Sequence, residues 1–559
     1  MLRRAKTCAH TALVVALISC SGQGSGSQTA VEQGVLPAIG SPVAHARSAA
    51  RRASGSMTTD WDSFGFDLQR TNYNPYESTV GVNNVASLQE VWSFSVGRYT
   101  VWEPIYAYGV SVGGNSTNIL YSGSSDGATM YALNAQTGAV IWQRKVAKRH
   151  ITCRRGTVPF SIQETPAIDR TKNLIYFSDG RDKVHAADLA TGAEATGWPL
   201  RVADSRHNNM HGGFTYNPAN ALLYAVTSSH CDESPWYGRI VAIDTDRKRP
   251  KIVGTFFTMS GNDTQGSSGG GIWGPGGASI DPATNNVFVA TGNADGTVGQ
   301  QQNAPYAEEV IELSPLLDTV LGNNYPANIP QEKHYFDFDF GATPLLFQPP
   351  GCPPLVAAVN KSGMFELYDR ASISSGPIQY IPMSVPSGTG SFIGVPTYDP
   401  VTNYVYVGLP DNEGIYQPGM AAFSIAYNCT LNPTPVWSAQ FGPVGSQDVT
   451  SRRSAISIAN GVAYISDYTG DTEYAFDAAN GTQLWTLALP TQSDEGTVIA
   501  NGMVYVSSSN GAISAWALPG MAEKLRKKAV KRPPGRSDQV LIPDRFGGMI
   551  DLGGPLPRY

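Results

Sequence analysis

Charge is scarce in this chain: only 15% of its 559 residues are Asp, Glu, Lys or Arg, and the formal net charge is -6. That balance lacks the basic field of a general nucleic-acid binder. No Cys-x-x-Cys-His occurs, which excludes a covalently held c-type haem. The apolar run from Leu13 to Ile18 is too short to cross a bilayer as a stable helix, and from Trp61 onward no long helical period is present. Turn and strand chemistry is what the chain has in plenty: 59 Gly, 38 Pro and 26 Tyr favour one large all-β architecture.

The two ends read separately from the middle. Arg3, Arg4 and Lys6 before the apolar run make residues 1–20 a secretory signal. Leu17-Ile18-Ser19-Cys20 resembles a lipobox, in which Cys20 would carry the lipid. Residues 21–58, low in aromatics and rich in Ser, Gly and Ala, suit a flexible tether. The expectation is an exported bacterial lipoprotein, periplasmic or held at the outer membrane by its anchor. Cys8 leaves with the signal, so Cys153, Cys231, Cys352 and Cys429 remain for an oxidising compartment, and four cysteines permit three pairings among which sequence does not choose. Residues 519–559 form a basic tail containing Pro and Gly, with Lys524, Arg526, Lys527, Lys528, Lys531 and Arg532 ahead of Pro533-Pro534, read as solvated.

Between these ends the sequence repeats. Tyr131-Ala132-Leu133-Asn134-Ala135-Gln136-Thr137-Gly138, ending at Trp142, is matched by Tyr474-Ala475-Phe476-Asp477-Ala478-Ala479-Asn480-Gly481, ending at Trp485. Each reads as a strand, a tight turn and a second strand that starts at the Trp. Weaker copies centre on Asp188, Asp244, Ser314, Asp369, Ser424 and Ala517, which with Asn134 and Asp477 makes eight, spaced 40 to 70 residues apart. Such spacing accommodates one four-stranded unit per copy, so residues 59–518 are predicted to be an eight-bladed β-propeller. The repeated Trp142 and Trp485 are expected to pack between blades.

The longest interval, 70 residues from Asp244 to Ser314, holds the densest glycine run, Gly269-Gly270-Gly271-Ile272-Trp273-Gly274-Pro275-Gly276-Gly277. Ala278 to Ile280 and Val287 to Ala290 flank the turn-forming Asp281 to Asn286 and predict a hairpin. A symmetric hairpin brings Trp273 and Asn293 to one rim. An indole face beside an uncharged oxygen donor suits a flat ligand together with a hard cation.

The Trp-ended repeat resembles the tryptophan-docking motif of the pyrroloquinoline quinone (PQQ) propeller family, and several stretches resemble cofactor-binding positions of PQQ-dependent alcohol and sugar dehydrogenases. The resemblance implies PQQ and a calcium ion as cofactors. It implies Trp273 as the floor under the quinone and Asn293, in Thr291-Gly292-Asn293, as a metal ligand. Val226 to Glu233 is similar to the segment supplying the metal carboxylate, from Asp232 or Glu233; calcium takes six to eight hard oxygens, which fits such donors. Asn360-Lys361-Ser362-Gly363 resembles the place where a Lys or Arg holds the quinone carbonyl, and Thr152-Cys153-Arg154-Arg155-Gly156 resembles one where Arg155 would meet a cofactor carboxylate. Glu103, in Trp102-Glu103-Pro104, stands where members have a cofactor-contacting Glu. The adjacent cysteine pair of many alcohol-oxidising members is absent. The Gly-rich stretch is nearest the polyvinyl alcohol dehydrogenase-like branch, without that branch's cytochrome domain.

The base such chemistry needs is expected in His334-Tyr335-Phe336-Asp337-Phe338-Asp339-Phe340-Gly341. Asp337 is the first choice and Asp339 shares its side of a strand at period two, while the sugar-dehydrogenase pattern sets His334 in that place. These residues predict a quinoprotein that oxidises a small-molecule or polymeric alcohol and passes electrons to a separate acceptor such as a cytochrome c. The other reading is a non-catalytic propeller that binds protein or polysaccharide as a scaffold at the cell envelope.

Overall fold

The computed structural model describes residues 59–153, 156–203, 208–230, 236–259, 268–295, 305–326, 338–383, 394–409, 416–441 and 454–530. The predicted signal, the tether and the end of the tail beyond Val530 lie outside them.

Eight four-stranded antiparallel blades make up the fold, one of them, blade 7, extended at its inner edge by the parallel strand Tyr73–Asn74. Blade 1 begins with Ile105–Val112, and blades 2 to 8 begin with Ala167–Asp169, Thr215–Asn217, Ser279–Ile280, Leu345–Phe347, Thr397–Asp399, Ser457–Ala459 and Val498–Ala500. The first strands of blades 2 to 8 are buried, and most neighbouring first strands touch around the axis, that of blade 8 meeting that of blade 1. The ring closes by exchange of strands. Blade 8 takes three strands from the C-terminal part of the chain, and Gln89–Ser95 completes it as the outermost strand, paired antiparallel with Ala512–Ala517. All eight predicted repeat centres fall at the C-terminal end of a third strand or, at Ser314, one residue past it.

The repeated tryptophans staple neighbouring blades. Trp142, on the outermost strand of blade 1, donates its indole N–H to the carbonyl of Leu189 in blade 2 at 2.9 Å, and Tyr121 donates to the same oxygen at 2.8 Å. Gly192 (φ +69) lies flat beneath the indole; a Cβ there would come within 2.7 Å of it. Trp92 and Trp437 repeat the contact on Ala135 and Ala478, each with a tyrosine on the same carbonyl. Trp485 also packs between blades, edge-on to Trp516 of blade 8 at 5.5 Å. Of the cysteines, Cys352 pairs with Cys429 and ties blade 5 to blade 6, and Cys153 is disulfide-bonded too. The first twelve residues of the predicted tail form a helix, Pro519–Val530, that buries Ala522 and Leu525 against blade 8 and leaves Lys524, Arg526, Lys527 and Lys528 exposed.

The axis is threaded by the segment that precedes blade 8's outer strand. Trp61 exchanges backbone hydrogen bonds with Tyr106 of blade 1 at 2.8 and 2.9 Å, and the carbonyl of Asp62 accepts from Ile168 of blade 2 at 2.8 Å. The carbonyls of Leu68, Gln69, Thr71 and Asn72 accept from Ile280, Leu346, Tyr398 and Ile458, in blades 4, 5, 6 and 7. Asn74 reaches Ile499 of blade 8 at 2.7 Å. Arg70 supplies the link to blade 3, donating to Thr215 Oγ1 at 2.6 Å. It is fully buried, and its guanidinium also donates to the carbonyls of Phe64, Gly276 and Ala278 at 2.7, 2.9 and 3.0 Å. Every blade's inner strand is thus tied to one strip of chain. Replacing Arg70 by Met keeps volume but strands several buried carbonyls at about 1–3 kcal/mol each, so Arg70→Met is expected to cost about 3–5 kcal/mol in urea-denaturation stability, whereas an exposed change such as Lys527→Met should leave the midpoint unmoved.

Candidate functional site

Loops of two classes meet on one face of the propeller: those that lead into a blade's first strand, and those that join its second strand to its third. Trp273 lies in the loop into blade 4 and Asn293 in the second-to-third-strand loop of that blade; Asp339 and Lys361 occupy the corresponding loops of blade 5.

The predicted hairpin forms, Ser279–Ile280 pairing with Val287–Ala290, and a short ladder of Ser268–Gly269 with Ala294–Asp295 extends it toward the rim. Gly270 N–H donates to the Asn293 carbonyl at 2.9 Å, which fixes the Trp273 and Asn293 loops side by side. A Cβ at Gly292 would come within 2.9 Å of Asp339 Oδ2, so a glycine is what lets the carboxylate sit against this backbone.

Asp339 is the hub. Its Oδ2 accepts from Trp273 Nε1 at 3.0 Å and from the Asn293 backbone N–H at 3.3 Å, and its Oδ1 pairs with Lys361 Nζ at 2.8 Å. The carboxylate and the ammonium are both buried, Asp339 1% and Lys361 7% exposed. The Lys361 ammonium also stands 4.5 Å from the centroid of the half-buried Trp273 ring, a cation–π distance. Four predicted residues from four loops and two blades therefore converge. Together they offer an aromatic face, a fixed cation and a carboxylate, with the Asn293 backbone bonded to that carboxylate.

Glu103 enters from blade 1 and is fully buried. Its Oε1 accepts from Trp61 Nε1 at 2.6 Å and from Gly65 N–H at 2.9 Å, while Oε2 has no hydrogen-bond partner among the described residues. Burial pushes its pKa up to about 8, against the opposing pull of the Trp61 and Gly65 bonds and the Arg70 charge. The group is therefore a neutral acid at pH 7, with an O–H to donate.

The other predicted site residues, Arg155, Asp232, Glu233, His334 and Asp337, lie outside the described residues. Among the described residues no group of three or more His, Cys, Asp or Glu side chains is arranged to hold a metal. Two supports went unread in the sequence. Thr343 Oγ1 accepts from Gly276 N–H at 2.9 Å and so locks the Trp273 loop to the Asp339 loop, and Arg70 holds the carbonyls of Gly276 and Ala278 from the axis. Neither carries a local signal, except that the run Trp61 to Pro75 stands before the first repeat and belongs to none.

The family model for the glucose/ethanol/alcohol dehydrogenase beta-propeller domain matches residues 61–203, and the one for outer membrane protein assembly factor BamB matches residues 430–520. A polyvinylalcohol dehydrogenase of Pseudomonas sp is 24% identical over 505 residues, covering 81% of this chain and 73% of that protein. Another, of Sphingopyxis sp. (strain 113P3), is 26% identical over 470 residues, covering 72% and 67%. Among solved structures, the quinohemoprotein alcohol dehydrogenase of Comamonas testosteroni superposes with a TM-score of 0.59 at 16% identity, covering 85% of this chain and 84% of that one. A europium-containing methanol dehydrogenase gives 0.60 at 16%, covering 86% and 94%. At such identities the structural likeness is one of fold.

Two outcomes are expected of the buried groups. Lys361→Met leaves the Asp339 carboxylate without its cation and should cost about 3–5 kcal/mol of stability, part of which the double change Lys361→Met with Asp339→Asn restores; both are read from urea midpoints. Glu103 binds its proton up to about pH 8 when folded and only up to its ordinary 4.5 when unfolded, so between those values the native state holds more protons and stability falls as pH rises. Glu103→Gln should flatten the decline of thermal midpoint from pH 5 to 8, by a share of at most about 1.4 kcal/mol per pH unit.

Proposed function

We propose that the chain is a member of the PQQ-dependent propeller family, an exported quinoprotein that oxidises an alcohol with PQQ and a calcium ion as its cofactors. The observation that carries this reading is the convergence of Trp273, Asn293, Asp339 and Lys361. A scaffold has no need of a buried ion pair locked to an indole and an asparagine loop. The BamB-type match falls on residues 430–520, which contribute none of these four side chains, so it speaks for the repeat and not for the site.

The residues present suit the cofactor. PQQ is flat, aromatic and anionic; the Trp273 face offers stacking area, Lys361 a positive charge over that face, and the unpartnered Oε2 of buried, protonated Glu103 a hydrogen bond for a carboxylate. Arg155 would add a guanidinium for a second carboxylate. Asn293 with Asp232 or Glu233 would hold the calcium through hard oxygens.

When bound, PQQ would supply the acceptor for the hydride, which carries both electrons of the oxidation, and the ion would polarise it. The protein's own residues position and move the proton. Both oxygens of Asp339 are engaged by Trp273, Asn293 and Lys361, which suits an orienting carboxylate. Asp337, two residues earlier, takes the hydroxyl proton as general base. Lys361 stabilises negative charge that develops on the ligand beside it. Electrons then leave to a separate acceptor such as a cytochrome c. The disulfide Cys352–Cys429 favours an oxidising compartment, in keeping with export and with the lipid anchor read at Cys20. The relatives named for polyvinyl alcohol make a hydroxylated polymer the first substrate to try beside small secondary alcohols.

Purified apo-protein is expected to take up PQQ with calcium, gain the quinone's absorbance and reduce a dye in the presence of alcohol. Trp273→Ala should weaken uptake at least tenfold. No uptake at high micromolar PQQ, with calcium or a lanthanide present, sinks the proposal. Asp337→Ala should keep uptake and lower kcat by about 10²–10⁴; retained turnover moves the base to His334 or Asp339.

A further inference from the structure

The face that bears the candidate site also bears a belt of positive charge over blades 1 to 3 that none of the roles above uses. Lys145 ends the outermost strand of blade 1 and Lys148 lies in the loop into blade 2. Arg181 sits between the second and third strands of blade 2, Lys183 begins its third strand, and Arg201 ends its fourth. All are exposed except the half-buried Lys183. The blade 2 members are contiguous. Arg201 Nη1 donates to the Arg181 carbonyl at 3.3 Å, Lys183 is the strand partner of Arg201, and Arg201 lines an open cleft with Arg239 at the start of blade 3's third strand.

Three carboxylates share this rim, and each is already matched. Asp182 is fully buried with Arg149 Nη1 3.8 Å away, Asp179 faces His185 Nε2 at 3.5 Å, and Asp126 has Lys148 on its own carbonyl at 2.9 Å. Lys145, Arg181, Lys183 and Arg201 form no ion pair among the described residues. A chain of net charge -6 therefore gathers unpaired cations in one sector. Like charges held close repel, so this surplus gains nothing for the isolated fold and is relieved by a partner of opposite sign.

The rim is tied to the candidate site through the loops of blade 3. Arg149 Nη2 donates to the Asn208 carbonyl at 2.6 Å, and Asn208 Oδ1 accepts from the Tyr237 N–H at 3.0 Å. The next residue, Gly238, donates to the carbonyl of Gly269 at 3.0 Å, in the glycine run that carries Trp273. A protein seated on the rim is thus held beside the loop that holds the indole.

We propose that Lys145, Lys148, Arg181, Lys183 and Arg201 dock the acidic face of the soluble protein that takes electrons from this site. The inference rests on the alcohol-oxidation reading and deepens it, giving the acceptor a place on the molecule and a sign of charge. Oxidation of one carbinol to a carbonyl releases two electrons and two protons. Two ferric haem proteins are reduced in turn, one electron each, and the protons pass to solvent. Such traffic needs fast encounter and fast release more than tight packing, and exposed charge supplies both. The rest of the acidic surface repels the same partner and leaves it this sector.

The test uses a natively basic cytochrome c and the same protein succinylated, which inverts its charge and keeps its haem. Binding to the full-length protein, apo and loaded with PQQ, is measured at low and at physiological salt. The variants are Lys145→Glu with Lys148→Glu, Arg181→Glu with Arg201→Glu, the neutral Arg181→Gln with Arg201→Gln, and, on the helix at the opposite face, Lys524→Glu with Lys528→Glu. The expected result is binding of the succinylated form alone, weakened by salt, at least tenfold weaker in each charge-reversed rim variant, intermediate in the neutral one and unchanged in the helix variant. In the loaded enzyme kcat/KM for the succinylated cytochrome falls with binding, while reduction of an uncharged dye is kept. No binding of the succinylated form by the wild type, equal or better binding of the basic form, equal losses in rim and helix variants, or losses that track thermal midpoint instead of charge overturn the proposal. So does rim-dependent binding to phosphatidylglycerol vesicles without binding of the succinylated protein, which would assign the belt to a lipid surface. Failure of PQQ uptake or of dye reduction strikes the alcohol-oxidation reading alone, since binding by the apo-protein is still scored.

Discussion

A ring of blades closes only if its inner strands are held at a common axis, and here that work falls to the strip from Trp61 to Asn74. Backbone carbonyls along it accept, in chain order, from blades 2, 4, 5, 6 and 7, and Trp61, Arg70 and Asn74 complete the set in blades 1, 3 and 8. First-strand N–H groups that face the axis have no further strand to pair with, and a buried donor left unmade is costly. The strip is their partner. Arg70 extends the same arrangement to carbonyls of the Trp273 loop, so the element that closes the fold also supports the candidate site from below.

The site itself is a case of charge tolerated because it is shared. A buried carboxylate at Asp339 would be unstable alone; the Lys361 ammonium and two N–H donors offset its desolvation. Glu103 shows the opposite solution, with no cation in direct contact and a proton retained instead. The two acids lie in loops of one class, into blade 5 and into blade 1, yet one reads as an anion and the other as a neutral donor. Partner geometry, not residue type, makes the difference.

Much of the architecture was legible because it repeats. A Tyr-to-Trp turn unit with weaker copies recurring every 40 to 70 residues reports one blade per copy, and the third-strand ends at Asn134, Asp188 and Asp477 fall where the repeat put them. The Trp273–Asn293 hairpin was readable from glycine, turn residues and flanking β-prone runs, which are local signals. Arg70 and Thr343 were not. Each does its work through residues far away in sequence, Arg70 across 206 positions to Gly276 and Thr343 across 67 to the same residue, and no local pattern carries such a contact.

By itself the sequence determined the number of blades, the identity of the enlarged unit and the side chains offered for chemistry, since these follow from periodicity and residue type. Tertiary structure alone decided which of those side chains meet. Asp339, one of three candidates for the base on sequence, became the hub that joins Trp273, Asn293 and Lys361 because the loops into blades 4 and 5 are brought together at the axis. The pairing of Cys352 with Cys429, open among three choices in the sequence, was settled in the same way, by the neighbourhood of blades 5 and 6. Distance in space is a property of the closed ring, and a linear chain does not record it.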